Sequence, residues 1–405
     1  MNNELQAKSS LRVCIVSPLF HPNLGGVGRQ AIALSEYLHS AGVEVVVMCR
    51  KFVGLLPWKQ RDGLQVIQVP SLGSRKFDLE AKSAVNLLIS LSYCFSLMFA
   101  LIRFRVRYDI VHFHGSSLHL IVNVIPLKIM GKKVIAKVAG AKMDVEAGSF
   151  KSKYLFLGDI FVRMLKRVDL FIAITDEIRQ DLLDEGYAPE KIFKTSNFIL
   201  SEQFYPLEDS IKKKALKKTI GVPEDKYMIT FSGRLVQRKR LDVLLEAISL
   251  LRRSRQNFVV YILGTGELME GLVKKSDNLH LQDSVVFRGN VSNMLDYLQA
   301  SDLYVITSDR EGMPNSLLEA MACRLPVIAT RIGGVVDVIE DKKNGLLVTS
   351  GDVEELKDAI LKLLGDERLS KSISQEAYRT IKENYYIDKV ADKYISLYKR
   401  VLNEL

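Results

Sequence analysis

The chain is 405 residues long, which exceeds the size of one ordinary hydrophobic core and predicts two domains. Its composition of 48% hydrophobic and 26% charged residues is typical of a globular protein and excludes a disordered one. The formal net charge of +10 suits nucleic acid, an anionic membrane surface or a phosphate-bearing substrate. Because no RNP pattern, zinc finger or helix-turn-helix signature is present, we expect no nucleic-acid partner.

The cysteines indicate the redox state of the cellular compartment. All four, Cys14, Cys49, Cys94 and Cys323, lie singly inside apolar runs and lack the spacing of metal ligands. This distribution favours a reduced, cytoplasmic setting and no metal site. The first ten residues contain no apolar core, which argues against a signal peptide.

One segment, Ala84–Ile102, carries no charge and is nearly long enough to span a bilayer. Polar side chains recur in it at spacings of four, three and three residues: Asn86, Ser90, Tyr93 and Ser96. This spacing draws a polar stripe on a helix and favours a helix packed on the domain over one that crosses a membrane. Arginines within Arg103–Arg107 mark its C-terminal end.

Short β-branched runs alternate with longer helical patterns, which predicts parallel strands joined by helices. In the first half the predicted strands are Arg12–Ser17, Val43–Cys49, Asp109–His114, Lys133–Val138 and Asp169–Ile174. In the second half they are Met228–Ser232, Phe258–Leu263, Val285–Phe287, Leu303–Thr307 and Val327–Thr330.

The alternation breaks at Asn197–Pro206, where we place a domain boundary. We predict an N-terminal Rossmann-like domain over residues 1–200, a C-terminal one over 201–385 and a final helical segment over 386–405. The sequence is helical after Asp352. The lysine-rich run Lys212–Lys218 is interpreted as a solvated helix face, with a membrane or acceptor contact as the alternative.

A glycine-rich turn follows the first strand and precedes a helix. Gly25, Gly26 and Gly28 let the backbone approach a ligand there, and the helix N-terminus favours an anion such as a diphosphate. The turn differs from the NAD fingerprint, and the second strand is followed by Arg50 and Lys51 in place of an acidic residue. A tight turn without a ligand is the alternative.

In the second half, the strand Met228–Ser232 runs into Gly233 and Arg234, and Lys239 follows before the next helix. Cations at the carboxyl end of a strand lie where open α/β sheets bind ligands, and both suit a pyrophosphate. The next strand ends in a second glycine turn, which begins at Gly264.

The most specific feature is the segment Asp309–Glu319, which follows a strand and opens a helix. Glu311 falls in the loop, where it can reach a sugar hydroxyl, and Glu319 falls inside the helix, where it can accept from a ribose. The backbone amides of Asn315–Leu317 can hold phosphate oxygens. The segment also contributes Gly312, Met313, Pro314, Ser316 and Leu317 to the predicted nucleotide site. The alternative is that Glu311 is an ordinary turn residue and that Glu319 is a solvated position on the helix.

Together these motifs resemble the retaining glycosyltransferases of GT-B fold, in glycosyltransferase family 4. The resemblance extends from the first strand to about Leu364 and includes His112–His114, Asn197 and Gly333-Gly334. It implies an α/β fold with two Rossmann-like domains, whose parallel sheets face across a cleft. It also implies that the final helix, Asp388–Leu402, returns to the N-terminal domain.

The resemblance further implies the reaction. A sugar leaves a nucleotide diphosphate, most commonly UDP, for a glycan or lipid-linked acceptor in polysaccharide or glycoconjugate synthesis. Arg234 and Lys239 neutralise the departing diphosphate in place of a metal ion, Glu311 contacts the donor sugar, and Glu319 holds the ribose.

One departure concerns the histidine that many family members carry near the donor sugar, because Ala139 stands at its position. His114, Lys137, Asp144 and Asn197 are the candidates for sugar or acceptor contacts. His112 and His114 alternate on their strand, so we expect one of them to face the core.

No pair of flanking carboxylates is evident, so front-face substitution is favoured over a double displacement. A nucleotide-sugar 2-epimerase and a sugar-nucleotide-binding protein that has lost catalysis are the alternatives. A basic face beside the apolar helix would suit an anionic membrane surface or a lipid-linked acceptor, with solvated side chains as the alternative. Its members are Arg103, Arg105, Arg107, Lys151, Lys153, Arg163, Lys166 and Arg167.

Overall fold

The structure, a computed structural model, describes residues 11–18, 20, 26–52, 63–72, 84–140 and 155–404. The chain divides into two compact units, one of Met1–Ser196 with Val390–Leu405 and one of Asn197–Lys389. The boundaries expected from the sequence fell after residues 200 and 385. Each unit has its own parallel sheet, and each is described by itself.

The sheet of the first unit has seven parallel strands within the described residues, in the order β3-β2-β1-β4-β5-β6-β7. The strands are β1 Arg12–Ser17, β2 Glu44–Arg50, β3 Gln65–Val69, β4 Ile110–His114, β5 Lys133–Val138, β6 Leu170–Ala173 and β7 Ile192–Lys194. The helices that precede the second unit are α1 Gly26–Ser40, α2 Ala84–Arg103, α3 Leu118–Ile129, α4 Leu155–Leu165 and α5 Asp176–Asp184.

The sheet of the second unit has six parallel strands, in the order β10-β9-β8-β11-β12-β13. The strands are β8 Tyr227–Ser232, β9 Phe258–Leu263, β10 Val285–Gly289, β11 Leu303–Ile306, β12 Val327–Thr330 and β13 Leu346–Val348. The helices are α6 Ser210–Ile220, α7 Leu241–Leu251, α8 Met269–Asn278, α9 Met294–Ala300, α10 Asn315–Ala322, α11 Gly333–Val336, α12 Val353–Gly365, α13 Glu367–Asn384 and α14 Ile387–Glu404, whose last residues belong to the first unit.

The predicted strands are all present, and the strands missed are β3, β7 and β13. All three lie at sheet edges, and β7 and β13 are only three residues long. The edge strand β3 reads Gln-Val-Ile-Gln-Val and is only partly buried, so it lacks the continuous apolar run of a central parallel strand. The helical prediction after Asp352 is confirmed by α12, α13 and α14.

The helix α1 begins at Gly26, so the glycine turn is shorter than expected. Gly26, Gly28 and Arg29 belong to the first turn of the helix, and Gly28 is buried. Gly25 lies outside the described residues.

The lysine-rich run is not a uniformly solvated face. In α6, Lys213 Nζ lies 2.9 Å from one carboxylate oxygen of Asp302, and Lys217 Nζ lies 2.5 Å from the other. The backbone amide of Met228 also donates to Asp302 Oδ2, at 2.8 Å. Lys213 and Lys217 therefore fasten α6 to the start of the second sheet, while Lys212 and Lys214 are exposed.

The polar stripe of α2 faces the protein. Tyr93 is buried, and Asn86 and Ser90 are partly buried. The side chains of Leu88 and Phe99 point outward and are exposed. Among the described helices, the stretch Val85–Arg103 is long and apolar enough to cross a membrane, judged by length and composition.

The last helix covers the carboxyl end of β4 in the first unit. Tyr398 OH lies 2.7 Å from His112 Nδ1, and the Tyr394 ring stacks on the His112 ring at a centroid distance of 5.7 Å. Both tyrosines are completely buried. The final helix thus completes the core of the unit to which its last residues belong.

We expect Asp302→Asn to lower the free energy of unfolding of the second unit by about 2–4 kcal/mol, because two lysines lose their buried counterion. Asp283→Asn is the matched control, since the Asp283 side chain is 86% exposed and pairs with Arg252 at 3.7 Å. Its expected change is within about 0.5 kcal/mol. Urea denaturation followed by circular dichroism measures both, and equal losses would contradict this role of Asp302.

The same pair of proteins tests a pH dependence. Burial raises the pKa of Asp302, but the charges of Lys213 and Lys217 outweigh it, so the pKa lies below its usual value. A lowered pKa contributes stability above the unfolded-state pKa of about 3.9 and loses it as the pH falls through the folded-state value. The difference in stability between the wild type and Asp302→Asn should therefore shrink below about pH 4.

Candidate functional site

Three neighbouring strands of the second sheet bring their carboxyl ends together. Strand β8 lies between β9 and β11, so the loops that follow these strands meet at one edge. The loop after β8 contains Arg234 and ends in a single 3₁₀ turn, Gln237–Lys239. This edge is where open α/β sheets bind their ligands.

The loops after β8 and β9 run against each other without side chains between them. The amide of Gly233 donates to Leu263 O at 2.9 Å, and the amide of Leu235 donates to Thr265 O at 3.0 Å. A Cβ atom on Gly264 would lie 1.9 Å from Gly233 O, and the φ of Gly264 is +135°. Gly264 is therefore required by backbone packing, whether or not it also touches a nucleotide.

The loop after β11 is fastened to the same 3₁₀ turn. Thr307 Oγ1 donates to Lys239 O at 2.8 Å, and the amide of Asp309 donates to Arg238 O at 2.9 Å. These two bonds hold the loop that carries Glu311 beside the turn that carries Lys239. The two segments are 72 residues apart in sequence.

Glu311 and Lys239 form a buried ion pair between these loops. Lys239 Nζ contacts Glu311 Oε1, and each side chain is no more than 10% exposed. Arg238 Nη1 lies 3.2 Å from Glu311 Oε2, and Ser308 Oγ donates to Glu311 Oε1 at 2.8 Å. Burial raises the pKa of Glu311, but the charges of Lys239 and Arg238 outweigh it and lower the pKa. The carboxylate is therefore ionised at neutral pH.

Three cations lie at this edge of the sheet. Lys239 Nζ lies above Gly233, since a Cβ atom built there would be 3.6 Å from it. Arg234 comes next in the chain and is exposed. Arg238, which pairs with Glu311, is the third cation. Sequence reasoning missed Arg238 and Ser308, although Arg238 lies directly beside Lys239 in the sequence.

The helix α10 begins at the same edge, with Pro314 as its first flanking residue. The amide of Leu317 donates to Pro314 O at 3.1 Å, so it is occupied within the first turn. That the Leu317 amide also binds a phosphate stays a prediction. The prediction of amide contacts rests on Asn315 and Ser316, which are half-buried.

Asn197 positions the start of α10. Its Nδ2 donates to Met313 O at 3.0 Å and to Asn315 Oδ1 at 2.9 Å. Asn197 is buried, and these two bonds use both hydrogens of its amide group. Its predicted contact with a sugar or an acceptor stays a prediction.

The other residues of the segment divide by burial. Met313 and Pro314 are buried, and Gly312 is half-buried. Glu319 is only 4% exposed, which excludes the solvated helix position that was its alternative. Its charge acts on a buried neighbour, since burial first and Glu319 second raise the pKa of Cys323 to about 12.

In the first unit, His112 and His114 lie on the same face of β4, with ring centroids 4.5 Å apart. The expectation that only one of them faces the core is wrong, because residues two apart share a face of a strand. Among the described residues, neither ring nitrogen of His114 has a hydrogen-bond partner. Burial first, then His112 and Lys137, lowers its pKa well below the usual value.

Lys137, at the end of β5, is also buried. Its Nζ lies 5.8 Å from the centroid of the Tyr394 ring, and burial lowers its pKa to about 7. His114 and Lys137 thus belong to a cluster beneath the last helix. Asp144, Lys151 and Lys153 lie outside the described residues.

We expect Gly264→Ala to lower the free energy of unfolding by at least about 2 kcal/mol, because the new methyl group meets backbone atoms that have no room to move. Gly271→Ala is the control, since a Cβ atom there would meet nothing within 4 Å. It should be neutral or stabilise α8 by up to about 1 kcal/mol. Thermal denaturation compares the two variants, and an unchanged melting point for Gly264→Ala would disprove the close approach.

Two family models match the chain. Residues 24–200 match Glycosyltransferase Family 4, and residues 212–380 match Glycosyl transferases group 1. The second match contains the ion pair of Lys239 with Glu311 and the start of α10.

Known proteins resemble the chain over most of its length. An N-acetyl-alpha-D-glucosaminyl L-malate synthase of Bacillus anthracis is 26% identical over 74% of this chain and 77% of its own. A UDP-Gal:alpha-D-GlcNAc-diphosphoundecaprenol alpha-1,3-galactosyltransferase of Escherichia coli is 26% identical over 93% of this chain and 94% of its own.

A solved structure shows the fold. HepE from Anabaena, crystallised with UDP and glucose, matches with a TM-score of 0.78 at 16% sequence identity. The match covers 98% of this chain and 100% of that one. The two parallel sheets and this likeness give the fold as GT-B.

Proposed function

Because the chain belongs to the family 4 glycosyltransferases, we propose that it transfers a sugar from a UDP-sugar to a glycan or lipid-linked acceptor, with retention of configuration. The observation that carries this proposal is the cluster of cations at the carboxyl edge of the second sheet. Lys239 and Arg238 both pair with Glu311 there, and Arg234 lies in the loop that follows β8, so these cations stand where a diphosphate would bind.

The cations stabilise the leaving group. As the bond between the sugar and the diphosphate breaks, negative charge grows on the phosphate oxygens. Lys239 is already held in place by Glu311, so it can meet that charge without reorganising. Arg234 is exposed and extends from the same loop, where it can reach the outer side of a diphosphate. In this proposal the chain's cations do this work and no metal ion is required.

The start of α10 supplies the second source of positive potential. The amides of Asn315 and Ser316 stand at the positive end of the helix dipole and can donate to phosphate oxygens. Asn197 fixes this turn through Met313 and Asn315. Glu319, buried one turn further along, is proposed to accept from the ribose hydroxyls.

The contacts of Glu311 support front-face substitution. Both of its carboxylate oxygens are held by cations, and Ser308 donates to one of them as well. A carboxylate held in this way is a weak nucleophile, so it is poorly suited to form a covalent sugar intermediate. The departing phosphate would instead accept the proton of the incoming hydroxyl, and Glu311 would orient the donor sugar.

The relatives indicate the donor and the acceptor. HepE was crystallised with UDP and glucose, and the Escherichia coli relative is named for transfer to a diphosphoundecaprenol-linked sugar. We propose the same classes for this chain, in glycoconjugate or polysaccharide synthesis. The four cysteines are buried and free, which supports a reducing, cytoplasmic setting.

We expect the double variant Arg234→Ala/Lys239→Ala to lower kcat by at least about 10³-fold, because two groups that stabilise the leaving diphosphate are lost. Arg253→Ala is the control, since Arg253 is exposed at the opposite end of the sheet, before β9. Release of UDP in the presence of acceptor measures turnover, and circular dichroism checks the fold. Near-normal turnover of the double variant would refute the proposed role.

A thermal-shift screen tests the donor. A ligand that binds only the folded state raises the melting temperature, and about a hundred-fold excess over Kd adds about 2.7 kcal/mol of stability. We expect UDP to stabilise the protein equally with and without EDTA, and Arg253→Ala to respond like the wild type. A larger shift from GDP or ADP would reject UDP as the nucleotide.

The fate of the sugar separates transfer from the alternatives. An NMR time course of a UDP-sugar with candidate acceptors should show a glycosidic product that keeps the anomeric configuration of the donor. Conversion of the donor without an acceptor would indicate an epimerase. Binding without any conversion would indicate a protein that has lost catalysis.

A further inference from the structure

The outward face of α2 is apolar. Phe99 is 67% exposed, Val85 62% and Leu88 61%. The exposed side chains recur after three, four or seven residues, and this spacing places them on one stripe of the helix. The stripe, which we call the α2 face, consists of Val85, Leu88, Phe95, Phe99 and Ile102.

One polar residue, Ser92, lies along the same stripe, and its hydroxyl group already has hydrogen-bond partners within the protein. Ser92 Oγ donates to Ile89 O at 2.7 Å and accepts from the amide of Leu72 at 2.9 Å. Leu72 is itself exposed and adds to the apolar surface. The face therefore offers no hydrogen-bonding group to water, and a large apolar patch of this kind marks an interaction site.

The opposite side of α2 is fastened to the first unit. The helix packs on α3, where Asn123 Nδ2 donates to Cys94 O at 3.3 Å. Tyr108 OH donates to Leu101 O at 2.6 Å, and both Leu97 and Leu101 are buried. These contacts hold the C-terminal half of the helix on the domain, and its apolar side faces outward.

A cluster of arginines ends the helix. Arg105 donates to Ile102 O, Arg107 donates to Gln65 Oε1, and the Arg103 guanidinium lies 5.8 Å from the centroid of the Phe104 ring. All three are exposed, and none pairs with a carboxylate among the described residues. The segment 84–107 contains no acidic residue.

We propose that the α2 face docks on an anionic membrane surface, with the apolar stripe in the interface and the arginines on lipid headgroups. A helix that carries aromatic and aliphatic side chains beside arginines has the composition of an interfacial helix. The arginines add electrostatic attraction to anionic lipid. Docking would hold the enzyme where a lipid-linked acceptor resides.

Charge favours lipid over a second copy of the chain as the occupant. Two α2 faces packed together would bury the stripes, but neither copy brings a carboxylate to the other's arginines, because the segment has none. In a parallel pair the two arginine clusters would also repel each other. An anionic bilayer supplies both the apolar and the negative part of the contact.

The proposal does not depend on the proposed transferase mechanism, since α2 belongs to the first unit and the ion pair of Lys239 with Glu311 to the second. Failure of one therefore leaves the other standing. Stabilisation by UDP, measured on each variant, shows separately whether the nucleotide site is intact.

Vesicle flotation of the full chain tests the proposal. The vesicles contain equal parts phosphatidylglycerol and phosphatidylcholine, and pure phosphatidylcholine vesicles serve as the comparison. We expect the wild type to float with the anionic vesicles and to be partly released by high salt. Phe95→Ser/Phe99→Ser should weaken binding at least about ten-fold. Replacement of the three arginines by glutamine should weaken it about a hundred-fold, at about five-fold for each charge.

Ile211→Ser is the matched control, because Ile211 is an exposed apolar side chain in the second unit, and it should float like the wild type. Equal binding by all variants, or no binding by the wild type, would overturn the proposal. If the phenylalanine variant fails to fold, the arginine variant and the salt dependence still decide. A dimer in sedimentation velocity that Phe95→Ser/Phe99→Ser breaks, without any change in flotation, would assign the face to a second copy instead.

Discussion

The second unit depends on one buried charge pair. Glu311 and Lys239 come from loops far apart in sequence, and their contact brings the loop after β11 beside the turn after β8. A buried carboxylate is costly without partners, and Lys239, Arg238 and Ser308 supply them. The same arrangement keeps the ammonium group at the sheet edge, so a single interaction serves both the fold and the proposed chemistry.

Much of the fold follows from the sequence because buried parallel strands are continuous apolar runs. The central strands were predicted to within about a residue or two, whereas β3, β7 and β13 were missed. The strands β7 and β13 are only three residues long and β3 is only partly buried, so none of them shows the long apolar run of a central strand. Periodicity also left open which face of α2 meets the protein, because it shows that two faces differ without showing which one is buried.

The candidate site could be predicted in its residue types but not in its contacts. Lys239 and Glu311 were identified from their places after strands, and the sheet order then brings them together. Arg238 and the roles of Asn197 and Leu317 depend on hydrogen bonds that no spacing reveals. Such details are set by tertiary packing, where a side chain can serve a neighbouring loop as readily as a ligand.

The contact between the loops at Gly233 and Gly264 has an evolutionary consequence. The hydrogen bonds that join these loops run between main-chain atoms, so they make no direct demand on the side chain at a neighbouring position such as Thr265. Residues that face a bound sugar could therefore diversify while the charged frame stays fixed. An architecture of this kind can acquire new donor preferences through single substitutions, at little cost to the stability of the domain.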